Sequence, residues 1–207
     1  MSTENWIPLF PLNTVLFPLG VLPLRVFETR YTDMMRRCMK GSAPFGIVLI
    51  RSGVEVGAAA VPETTGCLAH IVQWDMPELG VLLLTTHGGQ RFHIEATREL
   101  SDHSLEARIV LLAEDTPLPV PPLHAACAIA LKRVVDEITA PGMADHGNKY
   151  TSPFPQPVQL DDAGWVANRW SEILPLPMSV KQNLLELGDP SARLQLVHQC
   201  LTQLAIV

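Results

Sequence analysis

The chain has 207 residues and a net charge of −6, with 47% of its residues hydrophobic and 17% charged. This composition can fill the core of one generous domain or two small ones, and it excludes an intrinsically disordered chain. The acidic balance, with both signs mixed along the whole length, argues against broad neutralisation of a nucleic-acid backbone.

From Ile7 to Leu24 there is no charged side chain, and about 18 apolar residues would be long enough to span a bilayer. Pro8, Pro11, Pro18 and Pro23 interrupt the run, and each interior proline costs a helix about 3 kcal/mol. The five residues Met1-Ser-Thr-Glu-Asn5 carry an acid where a signal peptide needs positive charge. The expectation is therefore a cytoplasmic protein without a membrane segment. Trp6 to Phe10 reads as a short edge strand, because proline is tolerated where a ladder bond is absent. Leu22, Leu24 and Val26 alternate with Pro23, Arg25 and Phe27, the period of a core strand.

From Glu28 to Lys40 an acid at the start, bases in the last turn and Gly41 as a stop predict a helix. Strands are expected at Phe45 to Arg51, Cys67 to Trp74, Val81 to Thr86, Arg91 to Glu99 and Ser104 to Ala113. Turn signals stand at Ser52-Gly53, Gly88-Gly89 and Ser101-Asp102-His103. Short, closely spaced strands with one inserted helix predict a small, partly closed β-barrel.

Thr116 to Pro122 is a proline-rich linker, and the pattern beyond it is helical. Leu123 to Thr139 and Asp161 to Ile173 read as helices, separated by an irregular loop from Ala140 to Gln159. Ser179 with Gln182 matches a capping box, and Asp189 before Pro190 places a cap ahead of a first-turn proline. Leu194, Val197, Leu201 and Leu204 form one apolar stripe on the last helix. The expected class is α+β: a β-rich domain over residues 1–116 and a helical bundle over residues 117–207.

Few chemical motifs emerge. Cys38, Cys67, Cys127 and Cys200 are far apart and form no C-x-x-C pair, the pattern of free, mostly buried thiols. No phosphate-binding G-x-x-x-x-G-K-[ST] loop occurs, and Gly188-Asp-Pro-Ser-Ala192 is not a nucleophile elbow. His93 and Glu95 make an H-x-E without the cysteine half of a zinc deaminase, and no metal-ligand spacing appears. No cofactor, metal or enzymatic activity is expected, although a Ser/His/acid site that assembles only in space would leave no local pattern.

Two surface candidates remain. Gln73 to Gly80 places Trp74, Met76 and Leu79 in or beside a turn, and Gly147 to Phe154 places Tyr150 and Phe154 in a long loop. Flexible methionine and aromatic side chains suit a tolerant protein-binding surface; the alternative is that they fold back over the core. Glu28, Arg30 and Tyr31 form a compact polar and aromatic set at a strand-to-helix junction. That set reads either as a recognition site or as local satisfaction of buried polar groups.

The opening residues also carry a resemblance. Ile7-Pro-Leu-Phe-Pro-Leu12, Val15-Leu-Phe-Pro18 and Leu22-Pro-Leu-Arg-Val-Phe-Glu-Thr-Arg-Tyr31 resemble the N-terminal signature of the LON substrate-binding domain. Weaker matches follow in order: Phe45-Gly-Ile-Val48, Gly66 to Ile71, Gly89-Gln-Arg-Phe-His-Ile94, Lys181 to Glu186 and Asp189-Pro-Ser-Ala-Arg-Leu194. That domain leads ATP-dependent Lon proteases and also occurs alone in bacteria. The resemblance implies a PUA-like barrel followed by helices, and binding of unfolded segments or a partner protein. RNA or nucleotide binding is the alternative, through the kinship of PUA-like barrels with RNA-binding domains. The chain departs from the family in having Leu19 and then Gly20 where glycine usually follows Phe-Pro directly. It also has Cys67 where threonine is common.

Overall fold

β-Branched and leucine-rich runs in the first half of the chain pair into one sheet. The computed structural model describes residues 6–57, 60–139 and 154–207. Its strands are β1 (Trp6–Leu12), β2 (Val21–Val26), β3 (Phe45–Ser52), β4 (Val61–Glu78), β5 (Val81–Glu99) and β6 (Leu105–Leu111). They lie in the order β2-β5-β4-β3-β1-β6, and β6 pairs back onto β5 to close a ring that leaves β2 outside. The expected barrel is present, with α1 (Thr29–Gly41) as its inserted helix.

The two opening strands exchange the places expected of them. β1 lies inside the sheet, with Trp6 to Leu9 on β6 and Leu9 to Leu12 on β3. The two registers overlap only at Leu9, so Pro8 and Pro11 each sit on a half with one strand neighbour. A missing N–H is tolerated there because one side carries no ladder. Among the described residues β2 pairs only with β5 and is the outer strand. Between them, Val15, Leu16 and Phe17 are buried, so the uncharged opening run is core material. No described helix is long and apolar enough to cross a membrane.

Gly88-Gly89 is not a turn. It lies within β5, between the residues that pair with β2 and those that pair with β6. A Cβ on Gly88 would stand 2.1 Å from the carbonyl oxygen of Phe17, and the backbones of Gly88, Leu19 and Gly20 exchange hydrogen bonds of 2.8 Å. The glycine is there for close backbone approach rather than for a turn. The neighbouring departure from the family has a visible cost: Leu19 holds φ at 61°, a region that penalises a Cβ by about 1–2 kcal/mol. Glycine gains unfolded-state entropy that offsets part of the relief. Leu19→Gly is therefore expected to stabilise by about 0.5 kcal/mol, read as a raised urea midpoint with unchanged slope.

The helical half contains a short 3-10 turn (Pro122–His124) followed by α2 (Ala125–Thr139), α3 (Ala163–Ile173), α4 (Met178–Glu186) and α5 (Pro190–Gln203). The Asp162 carboxylate accepts from Trp165 N–H to cap α3, and Asp189 accepts from Ser191 N–H to cap α5 ahead of Pro190. The capping box at Ser179 does not form. Pro177 holds the cap position, while the Gln182 amide donates to Thr65 O at 3.0 Å and to Glu186 at 2.8 Å. Gln182 thus serves the contact between α4 and β4. Leu194, Val197 and Leu201 are fully buried, whereas Leu204 lies just past α5 and is exposed.

Three apolar clusters result. Ile7, Leu9, Phe92 and Ile109 are among the residues that fill the ring, and Met34, Met35 and Cys38 of α1 seal one side against Phe45, Leu82 and Leu84. The helices form the third cluster together with Val15, Phe17 and Leu49 from the β-rich part. All four cysteines are free, and three are buried.

Candidate functional site

Glu28, Arg30 and Tyr31 come together as an internal set. Arg30 pairs with Glu28 at 3.0 Å, donates to His103 O at 2.7 Å and lies 4.5 Å over the Tyr31 ring. Tyr31 packs on Phe10 at 4.6 Å, and burial raises its pKa. These contacts tie the start of α1 to the β5–β6 turn and leave Arg30 only 8% exposed.

The loop aromatics separate from the hairpin residues. Phe154 is 3% exposed and belongs to the helical core, which corrects its expected place on an exposed surface. An apolar ring beside the helical cluster gains more from burial than from water. Tyr150 lies outside the described residues. Trp74 and Leu79, by contrast, are 58% and 99% exposed, and Met76 lies beside them at the tip of the β4–β5 hairpin.

That hairpin is an arm. β3 pairs with β4 only as far as Ala69, opposite Phe45, and beyond it β4 pairs, among the described residues, with β5 alone. The ring cannot cover what its shorter neighbour does not reach, so every residue from Val72 to Gly80 is exposed. At the base of the arm a hollow of about 240 Å³ lies against the C-terminal end of α1, lined by Met39, Ala43, Ile71, Val72 and Trp74 among others.

A larger cleft of about 550 Å³ lies at the junction of barrel and helices, where Leu19, Leu68 and Trp165 supply apolar wall and His70, Glu114 and Asp115 polar rim. His70 borders both this cleft and the hollow beside Trp74. The cleft and the hollow at the base of the arm therefore share one lining residue.

One wall of the cleft is an ion network that sequence reasoning did not anticipate. Asp115 accepts from Arg91 at 2.9 Å through Oδ1 and from Arg193 through Oδ2. Arg91 also donates to Leu185 O and Leu187 O, and Arg193 to Leu184 O, Leu187 O and Asn168 Oδ1. Burial lowers the Arg91 pKa and Asp115 opposes that. The only trace in the sequence was that Arg91 and Arg193 fall inside two of the stretches that carry the family resemblance. Nearby, Arg169 donates to Pro18 O at 2.8 Å and to Glu172 at 3.1 Å. Burial pushes the Glu172 carboxyl up to about 7 against the pull of Arg169.

Among the described residues, the buried Ser104, Ser171, Cys67 and Cys127 are not arranged as nucleophiles. Ser104 and Ser171 donate to Asp102 and to Ala167 O, not to a histidine. Burial raises the Cys67 and Cys127 thiols, the latter to about 11, so neither is an accessible thiolate. His124 and His198 bond to each other at 2.7 Å. Among the described residues no group of three or more His, Cys, Asp or Glu could hold a metal.

Comparison with known proteins agrees with this architecture. The family model of the ATP-dependent protease La (LON) substrate-binding domain, a binding and not a catalytic domain, matches residues 6–203. The Lon protease of Anaeromyxobacter dehalogenans (strain 2CP-C) is 26% identical over 201 residues, covering 95% of this chain but 23% of that protein. The crystal structure of a Lon N-terminal domain protein from Xanthomonas campestris superposes with a TM-score of 0.73 at 30% identity, covering 93% of this chain and 96% of the other. The N-terminal domain of Mycobacterium avium complex Lon protease shares the fold, with a TM-score of 0.61 at 18% identity over 93% of this chain and 96% of its own. Matched almost from end to end, the chain belongs to the LON substrate-binding domain family.

Proposed function

We propose that this chain is a non-catalytic recognition module that binds unfolded or extended segments of other proteins. The observation that carries this reading is the exposed apolar arm, with Val72, Trp74, Met76 and Leu79 adjoining the cleft through His70. Large apolar side chains held out on a hairpin cost solvation unless a partner covers them. A tryptophan beside a hollow is the usual form of a binding anchor. The alternative of RNA is disfavoured by the same surface: Asp75 and Glu78 on the arm and Glu114 at the cleft repel a phosphate backbone, and Arg91 in the cleft wall is already paired with Asp115.

The test is fluorescence anisotropy with a panel of labelled unfolded proteins. Trp74→Ala is expected to weaken binding at least tenfold, about 1.4 kcal/mol. Leu79→Ser, at a fully exposed position, should weaken binding while leaving the thermal midpoint within about 1 °C. Absence of binding across the panel would defeat the proposal.

A further inference from the structure

The arm offers more than side chains. From His70 to Glu78, β4 has β5 on one side and, among the described residues, no strand on the other. A free strand side presents a row of N–H and C=O groups, and proteins normally blunt such edges with proline, lysine or bulges. Here the blunting is confined to the tip. Pro77 stands near the turn, Met76 N–H is already taken by Asp75 Oδ1 at 2.8 Å, and a register shift falls between Asp75 and Glu78. Nearer the base, His70 to Trp74 contains no proline, lysine or arginine. One bulge between Ile71 and Gln73 bends this stretch, but it stays extended.

Beside this unguarded stretch lies the hollow of about 240 Å³ floored by Cys38, Met39 and Ile71 and bounded by Trp74. A strand laid along the edge would turn alternate side chains toward that hollow. From Ile71 to Thr86 the arm has two acids, Asp75 and Glu78, and no lysine or arginine. A second copy pairing arm to arm would double the acids there, since the arm itself carries no base. A segment mixing apolar and basic residues complements the arm in both respects.

We infer that the free edge of β4 from His70 to Asp75 takes up an extended apolar and basic polypeptide segment as an added strand. This rests on the protein-binding reading above and specifies its mode: backbone pairing supplies affinity, and the hollow beside Trp74 selects alternate side chains.

The probe is an acetylated, amidated nonapeptide alternating valine with lysine or threonine. It is compared with two versions N-methylated at opposite alternate positions and with one carrying glutamate for lysine. Because the modifications are on the probe, the protein's fold is untouched. The parent peptide is expected to bind saturably and to slow amide exchange within residues 70–75 by tenfold or more. One N-methylated version should lose binding and the other should stay within about threefold, since alternate N–H groups face the added partner. The glutamate version should bind about tenfold more weakly at low salt.

Equal binding by both N-methylated versions, or no added protection at 70–75, overturns strand addition. If unfolded proteins still bind in a Trp74-dependent way, the apolar-arm reading survives that failure. If neither the peptide nor unfolded proteins bind, both fall. A free chain that sediments as a dimer with 70–75 already protected also overturns the inference, because the edge is then filled by a second copy.

Discussion

Asp115→Ala is expected to cost about 3–5 kcal/mol of folding stability, the range for breaking a buried ion pair from one side. The side chains of Arg91 and Arg193 are only 4% and 1% exposed, and Asp115 bonds to both. Without the carboxylate, each guanidinium keeps carbonyl acceptors but loses its counter-charge, and two nearly buried cations are left facing one another beside the cleft. The network also spans the molecule: Arg91 is on β5, Asp115 follows β6 and Arg193 is on α5. Its loss should therefore loosen the seam between barrel and helices and the cleft it lines. Asp136→Ala is the control, since its pair with Lys132 is 59% exposed on both sides and exposed pairs contribute well under 1 kcal/mol. Urea denaturation of both variants checks the contrast. A loss below about 1 kcal/mol for Asp115→Ala would show that water or rearranged backbone replaces the carboxylate.

Glu172→Gln is expected to stabilise the protein at pH 8, on the order of 2 kcal/mol, and to change little at pH 4. Burial moves the carboxyl from its ordinary 4.5 to about 7, although Arg169, the Phe17 N–H and Lys181 all pull it down. Desolvation therefore outweighs the neighbouring cations. Between those two values the folded state holds a proton that the unfolded chain has released. The stabilising contribution is present in full below about 4.5 and is lost as pH rises through about 7. The magnitude is kept below the full shift because the side chain retains 21% exposure. Glutamine mimics the protonated form and cannot titrate, so its stability curve should stay flat where the parent's falls. Parallel curves for the two proteins between pH 4 and pH 8 would refute this account.

Local signals found most of the elements. Asp162 and Asp189 cap α3 and α5 because a short acceptor ahead of a helix satisfies its first free N–H groups whatever surrounds it. Ser179 failed as a cap because Gln182, the other half of its motif, is drawn to Thr65 O, 117 residues away. Gly88-Gly89 failed as a turn for a related reason. The demand for glycine came from the Phe17 carbonyl on a different segment, not from the local chain path. Among the candidate binding residues, exposure of Trp74 and Leu79 followed from their nearness to a turn. Burial of Phe154 depended on a helical core that a loop position does not reveal.

Composition, proline placement and the ordered motifs determined by themselves that Ile7 to Leu24 is no spanning helix, that a β-rich part precedes helices, and that the chain belongs with LON-type domains. These are properties of single segments, and periodicity or a fixed motif reports them directly. Only the tertiary structure decided that β1 lies inside and β2 outside, that β4 outruns β3 to leave an edge open among the described residues, and that Asp115 meets both Arg91 and, 78 residues further along the chain, Arg193. Each of these depends on which segments meet. Such meetings are settled by the packing of the whole chain, where strand lengths are compared and buried charges find their partners.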